Sequence, residues 1–283
     1  MSLGILTNVA ATYAENNLNQ TQGSLQTVLQ QLSSGSRINS GADDAAGLSV
    51  ADGLRANEAA LTQSAQNAQN GVGLLQTADG ALSQVTNLLD RAVTLATEAS
   101  NGGLTAAQAG AADTEYQSIL TEIGNIGTST NFNSTGVFTA TATNFTVSDG
   151  TAAGTTTIAA TVGALTAGSV GTATGGGAGQ SLTGTVLTST ATATTALSDI
   201  TAAIADIANQ RGAIGANINQ LNAAANVASS EEVNLSSAES AIRSTNYGEA
   251  TSNLAKYQVL SQTGISALAQ ANSVQQEILK LLQ

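Results

Sequence analysis

Residues 54–96 read LRANEAALTQSAQNAQNGVGLLQTADGALSQVTNLLDRAVTLA, and apolar side chains recur through them at Leu54, Leu61, Ala65, Ala68, Val72, Leu75, Ala78, Leu82, Val85, Leu89, Ala92 and Ala96. Those positions span 42 residues in twelve half-heptads, a mean step of 3.5, which is the coiled-coil period. At ~1.5 Å per residue such a helix is on the order of 60 Å long. A stripe of that length needs helical partners along all of it. Many of its members are alanine, so the partners pack closely through a thin seam.

The pattern returns more weakly at both ends. Leu18, Leu25 and Leu32 stand seven apart with Val28 between the last two. Leu254, Tyr257, Leu260, Ile265, Leu268, Ala271, Val274, Ile278 and Leu282 span 28 residues in eight steps, again a mean of 3.5. Two terminal helices with matching seams are natural partners. The residues expected to carry self-association are therefore Leu18, Leu25, Leu32, Leu254, Tyr257, Leu268, Ile278 and Leu282. No charged residue lies between Glu15 and Arg37, whereas a solvated helix normally carries several. Such faces suit burial against other subunits or the lining of an uncharged polar channel. The competing reading is a disordered terminus, and the two are compatible if the ends order on assembly.

Composition narrows the function. The 283 residues contain no Cys, His, Pro or Trp, which excludes a disulfide framework, a histidine-based triad and a Cys/His zinc site. Lys and Arg number 7 against 19 Asp and Glu, and a net charge of −12 repels phosphate backbones and anionic lipid. Neither nucleic acid nor membrane is expected as a partner. No cofactor is expected, nor an enzymatic role. No apolar run approaches the ~18 residues of a spanning helix. The first basic residue is Arg37, so the start of the sequence lacks a secretory n-region, and export would need another route.

Between about 131 and 190 the chain is rich in Gly, Thr, Ser and Ala, with Asp149 as its sole charge. Phe145-Thr146-Val147 and Thr155 to Ala160 alternate with period two around a Gly-containing turn and are expected to form a hairpin. Gly168 to Gly184, with Gly175-Gly176-Gly177, lacks the GxxxxGK[ST] spacing of a phosphate loop and reads as a flexible surface loop. Asp43-Asp44 lack the further oxygen ligands of a calcium loop and read as a helix N-cap ahead of Ala45. The hydroxyls clustered at 139–161 and 183–195 are candidate acceptors for O-linked sugars.

The segment from Leu32-Ser33-Ser34-Gly35-Ser36-Arg37-Ile38-Asn39 through Ser40-Gly41-Ala42-Asp43-Asp44-Ala45-Ala46-Gly47-Leu48 resembles the N-terminal signature of bacterial flagellins. Asn16-Asn17-Leu18-Asn19, Gln69-Asn70-Gly71, Leu74 to Leu82, Asn234 to Ala238 and Leu268 to Asn272 agree with it. The resemblance covers about the first 135 and last 90 residues. It departs from the family at Gln275-Gln276, where Pro-Gln is usual, and at Ser244-Thr245-Asn246-Tyr247, where acidic residues commonly precede the aromatic. The resemblance implies a mainly α fold: an elongated antiparallel helical coiled-coil rod, with paired terminal helices and a small β-hairpin region in the middle of the chain. The expected division is 1–44 with 244–283 as an inner terminal-helix domain, 45–130 with 191–243 as the helical rod, and 131–190 as a hairpin and loop region without a separate outer domain.

The same resemblance implies a subunit exported unfolded through the flagellar type III system that self-assembles into the filament. It implies the flagellar cap, hook–filament junction proteins and an export chaperone as partners. It also implies an epitope for the flagellin-sensing Toll-like receptor at Arg91, Leu95 and Glu115, the first two sharing a helix face at i, i+4 spacing. The rival readings are a hook-associated or other helical export-filament protein, and an enzyme with a metal–carboxylate site.

Overall fold

A computed structural model describes residues 8–151, 154–172 and 177–281. Five helices carry most of the chain: α1 (Val9–Ser34), α2 (Ala45–Ser100), α3 (Ala106–Ser129), α4 (Thr190–Arg243) and α5 (Tyr247–Leu281). Among the described residues, six short strands stand between α3 and α4: β1 (Asn131–Phe132), β2 (Thr135–Gly136), β3 (Thr143–Val147), β4 (Thr156–Ala160), β5 (Val170–Thr172) and β6 (Ala178–Gln180). They pair only in sequence order, as three antiparallel hairpins. Packing divides the chain into one unit of 1–56 with 234–283 and another of 57–233. The division cuts inside α2 and α4, further into both helices than the 44/45 and 243/244 boundaries read from the sequence.

In the unit of 57–233 the expected stripe on α2 is the centre of the core. Leu61, Ala65, Ala68, Leu75, Ala78, Leu82, Val85, Leu89, Ala92 and Ala96 are buried and Val72 is half-buried. Its partner stripe lies on α4, where Ala193, Ala196, Ile200, Ala203, Ile207, Gln210, Ile214, Leu221 and Ala228 are buried at steps of three, four or seven. α3 adds Ala109, Tyr116, Ile119, Leu120 and Ile123. Asn101-Gly102-Gly103 breaks the helix between α2 and α3, and a capping box then restarts it, with the Thr105 side chain and Gln108 each satisfying the other's backbone N–H. Arg211 reaches from α4 to Asp79 on α2 through two hydrogen bonds of 2.7 and 3.3 Å. That pair is well exposed and fixes geometry more than it adds stability.

The hairpins cover this helical core. In β1–β2, Asn133 and Ser134 both take positive φ, 49° and 63°, which is the conformation of a two-residue type I′ turn. The expected pairing of Phe145 to Val147 with Thr155 to Ala160 forms as β3–β4, with Phe145 opposite Ile158 and Val147 opposite Thr156. Ser64 on α2 bonds both the N–H and the carbonyl of Ser148, holding the end of β3.

The flexible-loop reading of Gly168 to Gly184 is overturned for the described residues. Val170 and Leu182 are fully buried, and Val170–Thr172 pairs with Ala178–Gln180 as β5–β6. Gly171 sits at φ 79°, and a Cβ there would stand 2.5 Å from the backbone of Asp206 and Ile207 on α4. Only glycine allows that approach. The Gln180 N–H then donates to the Asp206 carboxylate at 2.9 Å. Gly175 and Gly176 lie outside the described residues.

Candidate assembly site

The unit of 1–56 with 234–283 is built differently. α1 and α5 run antiparallel: the Asn8 side chain donates to the Ala271 carbonyl near one end, and Thr245 donates to the Gln31 carbonyl near the other. Inward-turned positions on α1 are Ala11, Ala14, Leu18, Thr21, Leu25, Val28 and Leu32, and on α5 Ala250, Leu254, Tyr257, Ser261, Gly264, Leu268 and Ala271. Both series alternate steps of three and four, the heptad seam. Leu18, Leu25, Leu32, Leu254, Tyr257 and Leu268 therefore lie on it. Leu282 and the side chain of Ile278 fall outside the described residues.

The structure corrects the sequence register on α5. Hydrophobicity alone assigns Leu260, Ile265 and Val274 to the seam, yet they are 42%, 50% and 43% exposed. Ser261 and Gly264 occupy the inward positions instead. Gly264 lets the helices close in, since a Cβ there would be 3.3 Å from Leu18 Cδ1. Most seam residues are half-buried rather than buried, and along α1 only Val28 is buried. Exposed apolar groups remain outside the packed seam, Leu29, Leu260, Ile265 and Val274 along its flanks and Val9, Tyr13 and Val259 beyond them, with Tyr247 at the start of α5. No charged residue occurs from 16 to 36 or from 257 to 276.

The end of this pair is fixed by hydrogen bonds rather than by apolar mass. α1 closes at Gly35, whose φ of 71° is the left-handed C-cap conformation. Its carbonyl accepts from the Thr245 N–H at 3.0 Å. Arg37 adds a 3.0 Å bond from its Nη2 to the Ile242 carbonyl and lies 3.7 Å from Asp44. From Ser244 to Tyr247, backbone bonds and the buried Thr245 make the joint.

Asp44 caps α2 through a 2.8 Å bond from the Gly47 N–H. Asp43 accepts from the N–H groups of Asn39 and Ser40, which hold its carboxyl below the usual range. Both carboxylates are thus engaged in the turn and the cap, in line with the capping reading.

Arg91 and Glu115 join α2 to α3 through bonds of 2.7 and 3.0 Å. The Arg91 bond holds the Glu115 carboxyl below the usual range. Leu95 is elsewhere: it is 3% exposed and belongs to the core with Ala92, Ala96 and Ala99. The i, i+4 spacing places it near Arg91, but the apolar stripe of α2 is wide enough here to turn it inward.

What emerges is a structural building block, with one solidly packed unit and a thin helix pair that presents apolar, uncharged faces. The family profile described as the bacterial flagellin N-terminal helical region matches residues 5–143, and that of the C-terminal helical region matches 197–282. The flagellar filament 30.7 kDa core protein of Treponema maltophilum is 31% identical over 97% of this chain and 98% of its own length. The flagellin of Listeria innocua serovar 6a is 29% identical over 98% of both chains. A crystal structure of Bacillus cereus flagellin, 31% identical, matches 57% of this chain and 88% of its own with a TM-score of 0.46, a likeness too partial to bear on the rest of the fold. The chain belongs to the bacterial flagellins. It is a structural subunit of the extracellular flagellar filament, self-polymerising and not an enzyme, and no described helix is long and apolar enough to cross a membrane.

Proposed function

We propose that the α1–α5 pair is the element through which this flagellin polymerises, with Leu18, Leu25, Leu32, Leu254, Tyr257 and Leu268 holding the pair together and its outer faces meeting neighbouring subunits. The observation that carries this reading is the segregation of the two helices. Their heptad positions turn toward each other while large apolar side chains and an uncharged polar surface turn outward. Exposed apolar patches of this kind mark interaction sites, and a seam this thin gains most of its order from being covered. The same termini are the natural docking elements for the flagellar cap, the hook–filament junction proteins and an export chaperone.

Ile265→Asp tests the assignment with little disturbance to the subunit, because the side chain stands on the flank of the seam and is half exposed. Burying an unpaired carboxylate between subunits costs several kcal/mol. Sedimentation and electron microscopy are expected to find monomer with normal helicity and no filaments. Filaments of normal length from this variant would place the subunit contact elsewhere.

The Toll-like receptor reading rests on the exposed Arg91–Glu115 pair, while Leu95 supports the helix from beneath it. Arg91→Ala is expected to reduce receptor activation by monomer. Unchanged activation would separate the match from recognition.

A further inference from the structure

Two Asn-Gly dipeptides occur in the chain, and the fold treats them in opposite ways. Asn70-Gly71 lies inside α2, where Gly71 is buried and a Cβ on it would meet Leu221 and Phe145 within 3.0 Å. Asn101-Gly102 lies just past the end of α2, in the turn before α3, with Asn101, Gly102 and Gly103 all exposed. The Asn101 N–H is tied to the Glu98 carbonyl at 3.1 Å, which anchors the residue at its N-terminal side only. Its side chain leans forward over the glycines, since its Oδ1 lies 4.0 Å from where a Gly103 Cβ would stand.

We propose that Asn101 is a site of spontaneous deamidation that converts each subunit, with age, to an aspartate or isoaspartate form. The Gly102 backbone nitrogen attacks the Asn101 side-chain carbonyl carbon, a C–N bond forms, the amide C–N bond breaks, and ammonia leaves with the proton given up by the Gly102 nitrogen. Water then opens the resulting succinimide at either carbonyl. Opening at one restores the ordinary backbone as aspartate, and opening at the other routes the chain through the side-chain carbon as isoaspartate. No oxidant or cofactor enters. The ring requires the Gly102 nitrogen to swing onto the side-chain carbon, a rotation that glycine permits at little steric cost and that the hydrogen-bonded interior of α2 denies to Gly71.

The product adds one negative charge at the C-terminal end of α2, beside Glu98, where the helix dipole already disfavours anions. Isoaspartate also lengthens the backbone by one carbon within the α2–α3 turn. Subunits of an extracellular filament are not resynthesised in place, so the change accumulates with time.

The test is incubation of purified full-length protein at mildly alkaline pH and body temperature, followed by cleavage after glutamate and mass spectrometry. The peptide 99–115 contains Asn101 as its only asparagine, and the peptide 59–98 contains Asn70. The first is expected to gain about 1 Da, the difference between an amide and an acid, and to become a substrate for an isoaspartyl methyltransferase, while the second keeps its mass. Gly102→Ala, whose Cβ meets no atom within 4 Å, folds unhindered and is expected to slow the reaction on the order of tenfold by restricting the backbone. Equal conversion of both peptides, an unmodified 99–115, or an unchanged rate in the alanine variant each overturns the proposal.

Discussion

A chain ending at Asn253 is expected to stay soluble and helical and to form no filaments at all. Removing residues 254–283 takes most of α5, and α1 then loses the Leu254, Tyr257, Gly264 and Leu268 surface it packs on. An isolated helix of 26 residues with one buried side chain is marginal, so α1 is expected to fray. The unit of 57–233 keeps every residue of its own core, from Ala68 on α2 to Leu221 on α4. Circular dichroism is therefore expected to show a loss of helix limited to the two ends and an unfolding transition close to that of the full chain. Sedimentation is expected to show monomer under conditions where the full chain pelets as polymer. Filaments of normal length from the shortened chain would remove α5 from the assembly element.

The second large effect concerns the same pair from the opposite direction, by fastening it. The natural chain has no cysteine, so within one subunit two introduced thiols have only each other. A Cβ built on Gly264 lies 3.8 Å from the Leu18 Cβ, which is the mean separation in a disulfide. Leu18→Cys with Gly264→Cys is expected to close on oxidation. A bridge spanning so long a stretch of chain restricts the unfolded state by about 5 kcal/mol in the loop-entropy account, less whatever strain it introduces. Thermal unfolding of the helix pair, followed with and without reductant, is expected to shift upward in the oxidised form by far more than any single surface substitution achieves. Equal melting of the two forms would show that the two helices are not held together in the subunit.

How much of this was legible depended on how strongly each packing relation is written into side-chain size. The α2 stripe was readable because leucine and valine recur in step with alanine over forty residues, and the structure buries nearly all of it. The facing stripe on α4 keeps the same period, but Ala193, Ala196, Ala203, Ala228 and the polar Gln210 fill much of it, so the pattern does not stand out from its alanine-rich surroundings. On α5 the reading followed the largest side chains and went wrong at Leu260, Ile265 and Val274. There the seam prefers Ser261 and Gly264, because the helices approach closely, and the large groups are left outside. β5–β6 was missed for a related reason. Its docking depends on the side chain that Gly171 lacks, and a glycine in a Gly-rich stretch looks like a loop until the helix it rests on is known. Arg37 and Thr245, which join the ends of α1 and α4, act through backbone carbonyls, and spacing in the sequence does not show such partners.

Filaments assembled from the Leu18→Cys, Gly264→Cys chain give the most direct test of the central claim, that α1 and α5 of one subunit pair to make the polymerisation element. After oxidation the filaments are dissolved in denaturant and run on a gel without reductant. The account predicts filaments of normal length whose protein runs as a single monomer band, more compact than the reduced chain, with the disulfide inside each subunit. A ladder of covalent dimers and higher oligomers would contradict it, because α1 would then be paired with the α5 of a neighbour.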